Sequence, residues 1–231
     1  MAIYKSNKKV VAVYKGSTPI NKIYKGVTLV FQKSGGGGST HLIEGTAIGN
    51  FDLYINGNSI PITPDADGKW FYDTDEKITS LESAIYSTMV TSVDLSNLDL
   101  TGIPTNSMFY GASKITSIKF NNTKSMKLVD VGEMFSSCRL LVSLDLSSFD
   151  TSNLKSVVSL FNGCTSLGTL YLSNFDISNA TSFNDMFYNC TSLSTIKCKQ
   201  AFKDWCITKQ DTILLPTAMQ EGGSGTWELT D

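Results

Sequence analysis

The feature that most constrains the fold of this chain is a 26-residue unit that recurs four times between Met108 and Thr195. Repeats of about 20–50 residues are typical of solenoids, in which each coil buries its apolar side only by stacking on its neighbours. Aromatic, thiol and aliphatic positions all keep the spacing of 26: Phe109, Phe135, Phe161 and Phe187; Cys138, Cys164 and Cys190; Ile115, Leu141, Leu167 and Leu193; Ile118, Leu144, Leu170 and Ile196. The period therefore predicts an α/β solenoid with parallel strands and short helices.

Each unit contains two kinds of apolar spacing. Leu154, Val157 and Leu160 lie three residues apart, which predicts one face of a short helix. Leu170 and Leu172 alternate, which predicts a strand with both side chains directed inward. A unit thus reads as helix, turn, strand, turn. The residues that precede the three repeated cysteines are Ser137, Gly163 and Asn189, and glycine and asparagine suit the left-handed conformation that ends a helix.

The repeat resembles a known family. The pattern Met-Phe-x-x-Cys-x-Ser-Leu-x-x-Leu-x-Leu-Ser-x-Phe-Asp-x-Ser-Asn is similar to the 26-residue repeat of bacterial surface proteins, the BspA-like leucine-rich repeat. Residues 134–153 and 160–179 match best, and with partial copies the resemblance covers 88–200. It implies a leucine-rich-repeat-like solenoid, a role in adhesion, often on microbial surfaces, and no catalytic residues.

One set of strand residues points outward at the position between the two inward ones. We call this set the outward column: Asp94, Lys119, Asp145, Tyr171 and Lys197. Adjacent parallel strands lie about 4.8 Å apart, so these side chains should form a line across the exposed strand face. Small polar residues such as Ser143 and Thr169 flank it. We hypothesise that this face binds a protein or a glycan; the alternative is a soluble sheet face whose charges pair with each other.

The segment before the repeats, residues 41–87, is predicted to be a β-meander cap at the N-terminal end of the solenoid. Phe51–Ile55 alternates, Asn56-Gly57 is a strong hairpin signal, and further strands follow at 59–63 and 69–73. Residues 78–86 form either a short helix or the opening coil. Asp65 and Asp67 faintly resemble a calcium loop but are interpreted as a plain turn.

Residues 1–33 form a separate basic block. They contain seven lysines and no acidic residue, whereas the rest of the chain has 12 basic against 21 acidic residues. Tyr-Lys units recur every ten residues and predict a short β meander, too small to be stable alone. The charge suggests an anionic partner, with a solvated basic surface as the alternative. The block resembles "IYKG" segments of bacteriophage and prophage tail-associated proteins, which implies attachment or oligomerisation. A flexible Gly/Ser linker, 34–40, separates it from the solenoid.

The last segment, residues 201–231, breaks the period and is predicted to be a C-terminal cap. Ala201–Ile207 has the pattern of a short amphipathic helix. Strands are predicted at 213–216 and 226–229, with a glycine-rich turn between them. Trp205 and Trp227 are expected to seal the last coil, although exposed ligand anchors remain an alternative.

Reactive groups are few. We expect the five cysteines, Cys138, Cys164, Cys190, Cys198 and Cys206, to be buried free thiols, with a Cys198–Cys206 disulfide as an alternative. No CxxC pair suggests zinc. The single histidine, His41, adjoins the linker, so a Ser-His-Asp or Cys-His site is not expected. We therefore predict no enzymatic activity, no cofactor and no metal site.

The sequence leads to a non-enzymatic recognition module attached to a larger assembly or surface by its N-terminal block. Two alternatives remain: a structural oligomer component of a phage-tail-like or surface assembly, and a glycan hydrolase. No nucleic acid and no membrane span are expected. No secretion signal is evident, and the compartment stays open between the cell interior, a surface and a phage particle.

Overall fold

The computed structural model of the chain describes residues 22–25, 28–32, 41–74, 76–120, 126–128 and 130–230. The chain divides into two compact units, Met1–Gly38 and Ser39–Asp231. In the first unit, β1 (Lys22–Lys25) pairs antiparallel with β2 (Thr28–Gln32). The strand predicted from Val11 to Tyr14 and the linker at 34–40 lie outside the described residues.

The second unit contains all the other elements. In chain order they are β3 (His41–Ala47), β4 (Phe51–Ile55), β5 (Asn58–Ile62), β6 (Lys69–Thr74), β7 (Val90–Asp94), β8 (Ser117–Lys119), β9 (Met126–Lys127), β10 (Ser143–Asp145), β11 (Phe149–Asp150), β12 (Thr169–Leu172), β13 (Thr195–Cys198), α1 (Gln200–Thr208), α2 (Gln210–Ile213), a 3-10 turn (Thr217–Met219) and β14 (Thr226–Leu229).

The repeats form a solenoid of about four turns with parallel strands and few helices. β10, β12, β13 and β14 are neighbours in one parallel sheet, and β7 pairs parallel with β8. The register follows the sequence period, since Leu144 pairs with Leu170 and Leu170 pairs with Ile196. β9 and β11 form a second, shorter parallel pair.

The repeated phenylalanines stack through the interior. Neighbouring ring centroids of Phe109, Phe135, Phe161 and Phe187 lie 5.7, 5.8 and 5.6 Å apart, with interplanar angles of 8°, 6° and 15°. All four side chains are fully buried. The predicted alignment of like-numbered side chains from successive coils is therefore confirmed.

The short helices predicted within the repeats are wrong. In the described residues 76–120, 126–128 and 130–199 the structure has turns and strands but no helix. The amides of Met134, Ser136 and Cys138 each donate to the carbonyl three residues earlier, giving consecutive tight turns. The left-handed conformation is confirmed at Gly163 and Asn189, with φ of 73° and 57°, and Ser137 adopts it as well, with φ of 64°. Ser107, Glu133, Ser159 and Asp185 are left-handed as well, which interrupts any α-helix.

The alternate residues of these turns bond to the next coil. The amides of Glu133, Phe135 and Ser137 donate to the carbonyls of Val158, Leu160 and Asn162 at 3.0, 3.0 and 2.6 Å. The same arrangement recurs along the solenoid, starting in the segment 78–86, which is the opening coil. Backbone hydrogen bonds thus join the coils through the turns as well as through the paired strands, because buried amides must find partners.

The five cysteines are all free and buried. The thiols of Cys138, Cys164 and Cys190 donate to the backbone carbonyls of Phe109, Phe135 and Phe161 at 3.3, 3.0 and 3.0 Å. The alternative Cys198–Cys206 disulfide is not formed. Each repeated cysteine therefore fills a small apolar site and also links its coil to the preceding one.

The strands before the repeats join the first solenoid sheet. β3 pairs antiparallel with β6 on one side and with β7 on the other, giving the sheet order β6-β3-β7-β8. A side chain at Gly45 would overlap the carbonyl of Ser92 on β7, so glycine is required for this close pairing. The hairpin predicted at Asn56-Gly57 is present as β4 and β5.

The C-terminal segment packs on the last repeated coil. α1 covers the predicted helix, and β14 adds a parallel strand beside β13. The strand predicted at 213–216 is wrong: Ile213 ends α2, and Leu214 is left-handed with φ of 53°. The amides of Asp185 and Phe187 donate to the carbonyls of Thr212 and Ile213, so α2 takes the place of another turn segment. Trp205 and Trp227 are partly buried against the core.

Candidate binding surface

The strand register places the outward column in two lines on the solvent side of the solenoid. Asp94 on β7 pairs with Lys119 on β8. Asp145, Tyr171 and Lys197 follow one another on β10, β12 and β13. Their inward neighbours on the same strands are buried, for example Leu144 and Leu170. The pairing therefore joins Asp94 to Lys119 in one sheet and Asp145, Tyr171 and Lys197 in another, and no strand pairing connects the two lines within the described residues.

Glu228 on β14 extends this line beyond Lys197, and sequence analysis did not identify it. The step from Lys197 to Glu228 is 31 residues instead of 26, so the period carries no signal for it. The strand predicted at 226–229 was the one feature of the sequence that indicated a further strand at Glu228. We include Glu228 in the outward column from here on.

Both ends of the outward column carry ion pairs. Lys119 Nζ lies 3.0 Å from Asp94 Oδ2, and Lys197 Nζ lies 3.9 Å from Glu228 Oε2. The side chain of Lys119 is 63% exposed, so the pair contributes about 1 kcal/mol or less to stability. These pairs orient the charged groups without removing them from solvent, and they remain available to a ligand.

Asp94 accepts hydrogen bonds from Ser96 and Lys119. Partial burial acts to raise its pKa, but the hydrogen bonds from Ser96 and Lys119 and the Lys119 charge outweigh this effect, so the pKa of Asp94 is lowered. Its Oδ1 accepts the Ser96 N–H at 2.8 Å. Asp94 therefore remains a carboxylate under mildly acidic conditions.

The middle of the outward column combines an aromatic ring with hydroxyl groups. Tyr171 is 39% exposed and lies between Asp145 and Lys197. Ser143, Thr169 and Thr195 form a neighbouring line of small hydroxyl residues in the same register. An amphipathic ring next to charged and hydroxyl groups on a rigid sheet suits recognition, because little side-chain entropy is lost on binding.

The thiols are poor nucleophiles. Burial raises the pKa of Cys190 to about 12 and that of Cys198 to about 11. Burial also raises the pKa values of Cys138, Cys164 and Cys206. Since the thiolate is the reactive form, these cysteines have a packing role. His41 lies on β3, but its side chain is not among those described.

The predicted plain turn at Asp65 is present. Asp65 Oδ1 accepts the backbone N–H groups of Asp67 and Lys69 at 3.0 and 2.9 Å, as expected of an aspartate that closes a turn. Within the described part of the chain, no group of three or more His, Cys, Asp or Glu residues could hold a metal ion. In the same residues, no helix is long and apolar enough to cross a membrane.

One comparison with known proteins gives a result. A protein-family model described as "Mycoplasma protein of unknown function, DUF285" matches residues 77–212, which is more than half of the chain. The matched region begins before the opening coil and ends within α2. No curated protein and no solved structure matches the chain.

Proposed function

The chain belongs to the DUF285 family, and we propose that it is a non-enzymatic recognition module that binds a protein or a glycan through the outward column. The observation that carries this proposal is the placement of Tyr171 between Asp145 and Lys197 on rigid parallel strands. Stacking of the repeats requires the inward apolar residues, but it does not require an aromatic ring or charges at the outward positions. The outward side chains are not needed for stacking, and we propose that they serve a ligand.

We also propose a more specific fold type for the repeats. We assign the repeats to the BspA-like leucine-rich-repeat type, on the strength of the Met-Phe-x-x-Cys motif and of inward leucines on parallel strands. β3 to β6 would act as a cap, since β3 occupies the side of β7 on which a preceding coil would otherwise stack. Residues 1–33 would attach the module to a larger assembly or surface.

The test is to screen the full chain against immobilised glycan and protein arrays and to repeat the screen with Tyr171→Ala and Lys197→Glu variants. Both variants should lose at least about 90% of the signal on the ligands that the unmodified chain binds, since central interface residues dominate affinity. The Lys197–Glu228 pair is exposed, so Lys197→Glu should leave folding intact.

Matched controls are available elsewhere on the surface. Tyr188 is 53% exposed and lies on the turn side, outside the outward column, so Tyr188→Ala should keep binding. Lys155→Glu, at an exposed position in a turn segment, makes the same charge change away from the strands. Equal binding by Tyr171→Ala, Lys197→Glu and these controls would exclude the outward column as the binding surface.

A further inference from the structure

An open cleft of about 520 Å³ lies between α1 and the loop that leads to β14. Its volume falls within the range of roughly 300–1,000 Å³ found for small-ligand sites. One wall consists of α1 side chains, among them Gln200, Lys203 and Asp204. The other wall consists of the segment from Gln220 to Gly225 together with Trp227.

The loop wall of the cleft is held in a defined shape. The amides of Gly223 and Gly225 donate to the carbonyls of Gln220 and Ala218 at 3.0 and 2.6 Å. A side chain at Gly225 would overlap Ala218 and Met219, so the loop approaches the 3-10 turn as closely as glycine permits. The cleft is therefore preformed, which reduces the entropy that a ligand must overcome.

Trp227 is the aromatic group of the cleft. Its indole N–H donates to the carbonyl of Met219 at 3.2 Å, which fixes the orientation of the ring. The side chain is partly buried against the core and also lines the cleft. A fixed indole at the wall of an open cleft can pack against a flat apolar surface of a ligand.

Hydrogen bonds orient the polar side chains of the cleft, and the lining offers a ligand both hydrogen-bond acceptors and donors. Gln200 Nε2 donates to Asp204 Oδ1 at 2.7 Å, which orients the amide and the carboxylate side by side. On the opposite wall, Gln220 Nε2 donates to the carbonyl of Leu215 at 2.8 Å. These contacts orient carboxylate and amide groups beside the indole, at the same opening.

The charge of the lining argues against an anionic ligand. Lys203 is the lysine of the cleft, and Asp204 and Glu221 are its acidic residues, so the lining carries a net charge of about −1. A phosphate or carboxylate ligand would meet repulsion from two carboxylates. A neutral ligand with many hydroxyl groups would meet acceptors and donors together.

We propose that this cleft is a binding site for a neutral saccharide. A pyranose ring has an apolar face of C–H groups, which would pack on Trp227, and a rim of hydroxyls, each both donor and acceptor. The hydroxyls bond to Asp204 and Gln200 on α1. The site is separate from the outward column, so it does not depend on the function proposed above.

The test is NMR titration of the full ¹⁵N-labelled chain with cellotriose, maltotriose and chitotriose. The chain has three tryptophans, and Trp227→Phe identifies the indole N–H signal of Trp227. At least one trisaccharide should shift that signal in a saturable manner and leave the signal of the buried Trp70 unchanged. Inorganic phosphate at the same concentrations should not shift it.

Variants on α1 test the polar contacts without touching the core. Asp204 is exposed, and Asp204→Ala should weaken trisaccharide binding about fivefold or more through loss of a charge-assisted hydrogen bond. Asp211→Ala, an exposed aspartate outside the cleft lining, should bind as the unmodified chain does. Tyr171→Ala should also bind normally, which separates this site from the outward column. No trisaccharide-dependent shift of Trp227, or equal affinity of Asp204→Ala and Asp211→Ala, would overturn the proposal.

Discussion

At the residue scale, the repeated cysteines show how one side chain serves both packing and coil pairing. Cys164 is fully buried, and its thiol donates to the carbonyl of Phe135 in the preceding coil at 3.0 Å. Thiols are small enough to fill the site and polar enough to give a second hydrogen bond to a carbonyl that already accepts the N–H of Cys138. The spacing of 26 predicted that the cysteines are buried. Only the stacked structure shows which carbonyl each thiol contacts.

The first prediction concerns the reactivity of these thiols. Burial raises the pKa of Cys190 to about 12 from an ordinary value of 9.0, so at pH 8 far less of it is thiolate than in the unfolded chain. Cys138, Cys164 and Cys206 are shifted in the same direction. We expect Ellman's reagent to modify none of the five cysteines rapidly at pH 8 in the native protein, and all five in urea. Rapid modification of Cys164 under native conditions would contradict this packing.

At the element scale, the turn segments replace the helices that the spacing predicted. Each segment alternates a local turn bond with a bond to the next coil, as at Ser136 and Ser137. Each segment contains two left-handed residues, which turn alternate amides toward the next coil. Serine, asparagine, aspartate, glutamate and glycine occupy these places, and glycine has the lowest conformational cost there.

Two glycines in one coil give the second prediction. Gly163 has φ of 73°, so Gly163→Ala should destabilise the fold by about 1–2 kcal/mol through backbone strain. Gly168 is not in the left-handed region, and a side chain there would lie 3.8 Å from its nearest neighbours, the carbonyl oxygens of Ser192 and Val142. Gly168→Ala should therefore be neutral or stabilising by up to about 1 kcal/mol. Urea unfolding of both variants measures the difference, and equal losses would argue against the turn conformation.

At the scale of the whole molecule, stability comes from nearest-neighbour stacking along the solenoid. Phe161 contacts the ring of Phe135 on one side and that of Phe187 on the other, with centroids 5.8 and 5.6 Å apart. Each coil has little apolar burial of its own, so the stability of each coil depends on contacts with its neighbours.

The third prediction tests this coupling. Phe161→Ala removes a ring from the middle of the stack and should cost about 3–5 kcal/mol of unfolding free energy, because the rigid backbone ladders prevent the cavity from collapsing. Phe161→Leu keeps most of the volume and should cost less. Urea unfolding followed by circular dichroism measures both. The stacked interior would be in doubt if Phe161→Ala cost no more than Phe161→Leu.

The period of the sequence by itself determined which repeat residues face inward and that β10, β12 and β13 are neighbours, because a stacked coil brings equivalent residues together. Tertiary structure alone decided three other features. Apolar residues three apart suit consecutive turns as well as a helix, and only bonding between coils selects the turns. The pairing of β3 with β7 and the addition of Glu228 to the outward column also depend on contacts between segments outside the period. Such contacts leave no local signal, since they are satisfied by residues distant along the chain.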